Sequence, residues 1–156
     1  MKFTFFLNQE QVTYEGNPDE RLQDVLRDAY GCTSVKCGCR QGECGACAVI
    51  IDGELYNSCL IAMGTITGKS VTTLEGYRET ERFRCLDQAF AEMSAVQCGF
   101  CTPGMVMAAE NLLAHNPAPT EHEIRVGMSG NLCRCTGYNA IVRAVLQASK
   151  EGTGLW

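Results

Sequence analysis

The chain has 156 residues, with 13 basic and 18 acidic side chains and a formal net charge of −5. That length holds one ordinary domain or two small ones, and the mild acidity argues against a nucleic-acid or anionic-membrane partner. No segment reaches the roughly 20 apolar residues of a membrane span, and the apolar opening Met1 to Leu7 is too short for the core of a signal peptide; a cytoplasmic protein is expected.

Lys2 to Leu7 and Gln11 to Glu15 read as two strands across a turn at Asn8-Gln9. Asn17-Pro18-Asp19-Glu20 then has the form of a helix start, with Asn17 as N-cap and acids in the first turn. Leu22, Val25, Leu26 and Ala29 give that helix one apolar face, and Gly31 stops it. A loop rich in glycine and cysteine runs from Gly31 to Cys47. Ala48 to Ile51 is a short buried strand, Asp52-Gly53 a hairpin turn, and Glu54 to Asn57 the return. Val71 to Leu74 is a last strand. Strands with a helix laid across them describe a small α+β domain over residues 1–76.

Residues 77–156 read as all-helical. Phe83, Leu86, Phe90 and Met93 line one side of a first helix, and Thr102-Pro103 opens a second that Asn116-Pro117 closes. Thr120-x-x-Glu123 has the form of a capping box for a third. Ile141, Ala144, Val145 and Ala148 mark a fourth, with its start expected at Thr136. Short links favour a compact antiparallel bundle. The tail Glu151 to Trp156 is expected to fray, unless Trp156 docks on a partner.

Eleven cysteines are too many for an ordinary chain in a reducing compartment, where dense paired cysteines bind metal in preference to forming disulfides. Eight fall into two groups of four. Cys39-x4-Cys44-x2-Cys47, followed by Cys59, is the plant-type [2Fe–2S] spacing. Soft thiolates suit iron–sulfur clusters, and Gly38, Gly42 and Gly45 let backbone amides approach the sulfurs. Zinc ribbons prefer two C-x2-C pairs, so the wider gap favours iron. Cys98-x2-Cys101 and Cys133-x-Cys135 form the second group, each pair expected at a helix N-terminus that favours anionic sulfur. Alone, that second pattern also suits zinc.

Three cysteines remain. Cys85 is expected to be a buried small hydrophobe, Cys37 competes weakly with Cys39 as a ligand, and Cys32 has no assigned role. His115 and His122 are expected at helix ends on the surface, and Met105, Met107 and Met128 as core or interface filler. No nucleophile–base pair, Walker loop or G-x-G-x-x-G is present. Such a chain moves single electrons and turns over no substrate by itself.

The blocks Ser34 to Cys47, Asn57 to Leu60, Ala95 to Gly104 and Gly130 to Tyr138 together resemble the iron–sulfur subunit of the molybdenum hydroxylases. That family includes xanthine dehydrogenase, aldehyde oxidoreductase, nicotinate dehydrogenase and carbon monoxide dehydrogenase. The resemblance runs from about Phe3 to Ala148. It implies a ferredoxin-like β-grasp domain followed by a four-helix bundle, with two [2Fe–2S] clusters. The cluster on Cys39, Cys44, Cys47 and Cys59 would lie toward flavin. The cluster on Cys98, Cys101, Cys133 and Cys135 would lie toward a molybdenum–pterin cofactor, with Gln97 and Cys135 matching positions that touch the pterin. The chain has no room for the molybdopterin or FAD domains. The resemblance therefore implies a large molybdopterin subunit and an FAD subunit as partners. The first expectation for the substrate is a purine such as xanthine, with aldehydes, nicotinate, other N-heterocycles and carbon monoxide as alternatives; a free-standing ferredoxin is the rival role. Cys37 departs from the family, whose members usually carry glutamate or glutamine there.

Overall fold

A computed structural model describes all residues from Met1 to Trp156. Strand β1 (Lys2–Leu7) pairs antiparallel with β2 (Glu10–Glu15) through a two-residue loop in which Asn8 and Gln9 both take positive φ. Strands β3 (Ala48–Ile51) and β4 (Glu54–Asn57) repeat the device at Asp52-Gly53. Both loops use the left-handed geometry whose twist matches that of paired strands. Strand β5 (Ser70–Thr72) runs between the hairpins, parallel to β1 and antiparallel to β3, giving the order β2-β1-β5-β3-β4. The result is a mixed five-stranded sheet in an α+β protein.

Two apolar cores flank this sheet. Phe3, Phe5 and Leu7 alternate inward along β1 and meet Leu22, Val25 and Leu26 of helix α1 (Leu22–Asp28). Each fully buried Phe or Leu contributes about 1.5–3 kcal/mol. Strand β3 has no polar alternation because both of its faces are covered. Val49 and Ile51 join the α1 core, while Ala48 and Ile50 join the second core on the opposite face. Burial on two sides is the physical reason that β3 is a short apolar strand, as expected.

The second core is built by helices α2 (Leu74–Tyr77), α3 (Glu81–Glu92), α4 (Thr102–His115), α5 (Glu121–Gly127) and α6 (Asn139–Glu151). Helix α4 lies between β3–β4 and the other helices, and α6 packs on α3 and α5. Met105 and Met107 are buried in this core, as is Met128. The capping box at Thr120 and Glu123 is present with both reciprocal bonds. No helix is long and apolar enough to cross a membrane.

Five local expectations are corrected. The last strand is Ser70–Thr72, and Leu74 opens helix α2 where the strand was expected to run on. Helix α1 starts at Leu22, not beside Asn17. Asn17 instead caps a turn, accepting from the Asp19 amide, while Arg21 is held extended by a bridge to Ala62. Tertiary pairing thus delays the helix by a turn. Helix α6 starts at Asn139, not Thr136, because Gly137 and Tyr138 both take positive φ. The tail does not fray. The indole Nε1–H of Trp156 donates to Glu110 at 2.7 Å, and Arg82 Nε–H donates to the Leu155 carbonyl at 2.6 Å. Cys85 is half-buried, with its thiol directed at the Ala148 carbonyl.

Candidate iron–sulfur sites

The loop from Gly31 to Cys47 has little regular structure, so side-chain hydrogen bonds hold it. Gln23 Nε2–H donates to the Lys36 carbonyl at 2.8 Å and Arg27 donates to that of Val35 at 2.8 Å, clipping the loop to α1. Asn57 Nδ2–H donates to the Gly42 carbonyl at 2.9 Å, holding the loop tip to the end of β4. Three amides, those of Gln41, Glu43 and Cys44, point at Cys39 Sγ from 3.3–3.4 Å, and the Ala46 amide lies 3.5 Å from Cys44 Sγ. A Cβ at Gly38 would stand 2.7 Å from Cys44 Sγ, so glycine is required for that approach. Cys47 and Cys59 are buried, Cys59 in the 3-10 turn Ser58–Leu60.

These surroundings split the thiols. The Gln41 amide, then that of Cys44, draw Cys39 down to about 6 from an ordinary 9.0. Burial pushes Cys47 up to about 11. A bare thiolate is costly at Cys47, and a bound cation would offset that cost.

The second site is built from shorter pieces. Cys101 immediately precedes helix α4, as expected, with Pro103 in the first turn. Cys133 and Cys135 sit in a loop ahead of α6 and not at its N-terminus, which corrects the helix-end reading for that pair. In place of a helix end, Thr136 donates to Cys133 Sγ from its hydroxyl at 3.1 Å and its amide at 3.4 Å. Burial acts against the Cys133 thiolate, but these donors outweigh it and bring the thiol down to about 7. Burial raises Cys101 to about 12, reinforced by the neighbouring Cys133. The Tyr138 hydroxyl accepts from the Cys133 amide at 3.1 Å. Cys98, Cys135 and Gln97 are exposed on one edge, with Cys98 and Cys135 sulfurs 3.6 Å apart. Val96, Phe100, Leu132 and Tyr138, all exposed, flank these cysteines in sequence.

The eight sulfurs come in pairs. Cys39 neighbours Cys44, and Cys47 neighbours Cys59; Cys98 neighbours Cys135, and Cys101 neighbours Cys133. No three Cys, His, Asp or Glu side chains converge on a single point where one ion could bind. A lone tetrahedral zinc needs four ligands around one centre. A [2Fe–2S] rhomb needs two thiolates at each of two irons. Two sets of paired sulfurs fit the second requirement, and the donor set is soft throughout.

Cys32 is buried in the α1 core, and Cys37 is exposed with Arg40 Nη1 at 3.7 Å from its sulfur. His115 is on the surface, as expected, and contacts Glu54. Sequence reasoning missed Thr136 as a donor to sulfur. It also missed Asn131, which is buried and reaches the Gly45 carbonyl. A hydroxyl directly after C-x-C and an asparagine two residues before it were the available signals.

A [2Fe–2S] cluster-binding domain model matches residues 5–71, and a second [2Fe–2S]-binding domain model matches residues 73–146. Two such domains in one chain define an iron–sulfur protein of the electron-transfer class. The nicotinate dehydrogenase small FeS subunit of Eubacterium barkeri is 50% identical over 142 residues, 91% of this chain and 90% of that protein. The xanthine dehydrogenase iron-sulfur-binding subunit of Escherichia coli O157:H7 is 47% identical over 135 residues, covering 85% and 84%. Quinoline 2-oxidoreductase from Pseudomonas putida 86 contains a chain that superposes with a TM-score of 0.91 at 40% identity, over 98% of this chain and 96% of that one. The aldehyde oxidoreductase of Desulfovibrio desulfuricans gives 0.92 at 40% identity, and there the match is 17% of a longer chain. The present chain belongs to the family of iron–sulfur subunits of the molybdenum hydroxylases, and is a subunit of an oxidoreductase.

Proposed function

We propose that this chain carries electrons from a large molybdopterin subunit to an FAD subunit, in a complex that hydroxylates an aromatic nitrogen heterocycle. The observation that carries this reading is the pairing of eight thiols into two sets, the second on an exposed edge with apolar neighbours in sequence. Cys39, Cys44, Cys47 and Cys59 hold the first centre; Cys98, Cys101, Cys133 and Cys135 hold the second. When bound, the two centres supply one-electron redox chemistry. The amides of Gln41, Glu43 and Cys44 and the hydroxyl of Thr136 stabilise negative charge on sulfur. Buried Cys47 and Cys59 shield the inner side of the first centre from water.

Gln97 and Cys135 face the pterin of the large subunit, where Val96, Phe100, Leu132 and Tyr138 supply apolar contact of the kind found at interface cores. Residues 1–76 act as the ferredoxin-like β-grasp unit and residues 77–156 as a four-helix bundle carrying the second centre. The purine expected from the sequence is one member of the substrate class. Relatives are named for nicotinate, xanthine and nicotine, and a structural neighbour for quinoline, all nitrogen heterocycles, while the aldehyde oxidoreductases among the relatives keep aldehydes as the alternative. A cytoplasmic location goes with this role.

Gentle isolation of the native protein tests the reading. Co-elution with a larger molybdenum-containing polypeptide and about four irons per copy of this chain are expected. A monomer that holds iron but never a larger partner supports a free ferredoxin instead. Zinc without acid-labile sulfide removes the redox role.

A further inference from the structure

The two thiol sets are joined by a backbone contact that neither set requires for binding iron. The Leu132 amide donates to the Cys44 carbonyl at 2.9 Å. Cys44 belongs to the first set, and Leu132 immediately precedes Cys133 of the second. Beside that bond, Asn131 Nδ2–H donates to the Gly45 carbonyl at 3.0 Å. The Asn131 side chain is buried, and a buried amide is costly unless bonded. Its partner is a main-chain carbonyl 86 residues away in sequence. The Gly45 carbonyl also accepts from the Ala48 amide at 3.1 Å, so one peptide is pinned from both halves of the molecule.

The approach is as close as backbone allows. Gly45 has a φ of +70°, and a Cβ there would stand 2.6 Å from Asn131 Nδ2 and from the Gly130 carbonyl. On the other side, a Cβ at Gly104 of helix α4 would stand 2.5 Å from the Gly45 carbonyl. Gly104 lies three residues after Cys101, so the first-set loop is wedged between both pieces of the second set. Tunnelling falls off far less steeply along bonded atoms than across a gap. Covalent bonds from Cys133 Sγ to the Leu132 amide, one hydrogen bond, and covalent bonds from the Cys44 carbonyl to Cys44 Sγ make a continuous path.

We infer that Asn131 is a positioning residue for electron transfer between the two centres, holding the Leu132–Cys44 hydrogen bond in register. This rests on the two-cluster reading above. One electron leaves the second centre, which is oxidised, and enters the first, which is reduced. No bond breaks and no proton is transferred. Asn131 touches neither set of sulfurs; it acts through the two loops it binds, as outer-shell groups do.

The test uses the full chain with both centres in place, reduced by a short pulse while re-equilibration between the centres is followed optically. In Asn131→Ala, about four irons and both paramagnetic signals should remain. Both midpoint potentials should also be unchanged, so the driving force is constant. The rate between centres should fall by about tenfold, the lower end for outer-shell partners, and the spin–spin splitting between the reduced centres should shrink. Gly104→Ala, which presses on Gly45 from the opposite side with one methyl group, should lower the same rate, and it decides the matter if Asn131→Ala does not assemble. Wild-type rate and splitting in a variant with full iron overturn the inference. Wild-type protein lacking two signals overturns the two-cluster reading instead.

Discussion

The two thiol sites solve one problem by different means. The first surrounds the Cys39 sulfur with main-chain amides from a single loop, and buries the thiols of Cys47 and Cys59. The second has one residue, Thr136, donating to sulfur from its hydroxyl and its amide, and leaves Cys98 and Cys135 exposed. Amide dipoles aimed at sulfur stabilise the extra electron and raise a cluster's potential. Under the proposed function, the site richer in such donors would be the better electron acceptor, and the exposed one would be placed to receive electrons from another chain. On that reading, the difference in environment between two sets of the same thiols would give the pair a direction.

The strongest way to break this comparison is Cys101→Ser. Iron should fall from about four to about two per chain, one paramagnetic signal should vanish, and the signal of the first site should survive. Loss of both signals from a folded chain would mean that the sites are not independent.

The helical half depends on a buried carboxylate with no counterpart in the α1 core. Glu110 accepts from Tyr77 at 2.5 Å, Arg82 at 2.9 Å and Trp156 at 2.7 Å. Glu110→Ala would leave those donors unsatisfied, at a cost of about 3 kcal/mol. The melting temperature of the protein should drop by roughly 10 °C, while the first-site signal is retained. A drop of under about 2 °C would show that water replaces the carboxylate without loss.

A redox titration sharpens the contrast further. The first site should titrate at the higher potential, and the reverse order would show that exposure outweighs the amide donors. The smallest effect concerns the joint between the halves. The Asn111 carbonyl, then Glu54, raise the pKa of His115 above its ordinary 6.5. The charged contact is thus complete below that ordinary value and is lost as pH rises through the higher folded one. His115→Ala should lower the melting temperature slightly near about pH 5.5 and leave it unchanged near about pH 8; an equal loss at both would assign the effect to packing.

The sequence alone carried the first iron–sulfur domain, both two-residue hairpins, the helix opened by Pro103 and the capping box at Thr120. These depend on local chemistry: thiol spacing, positive-φ turn residues, a missing amide, a hydroxyl within reach of the next turn. It misplaced the starts of α1 and α6, because Arg21 is held extended by Ala62 and Tyr138 takes a positive φ beside Thr136, whose donors are used on Cys133. It also misjudged the tail, since nothing near Trp156 in the chain announces a carboxylate at Glu110. Tertiary structure alone decided which sulfurs pair, which are exposed, and that Asn131 spans the two sites. Each of those outcomes requires segments tens of residues apart to meet, and spacing along a chain fixes no distance between segments until a core has formed around them.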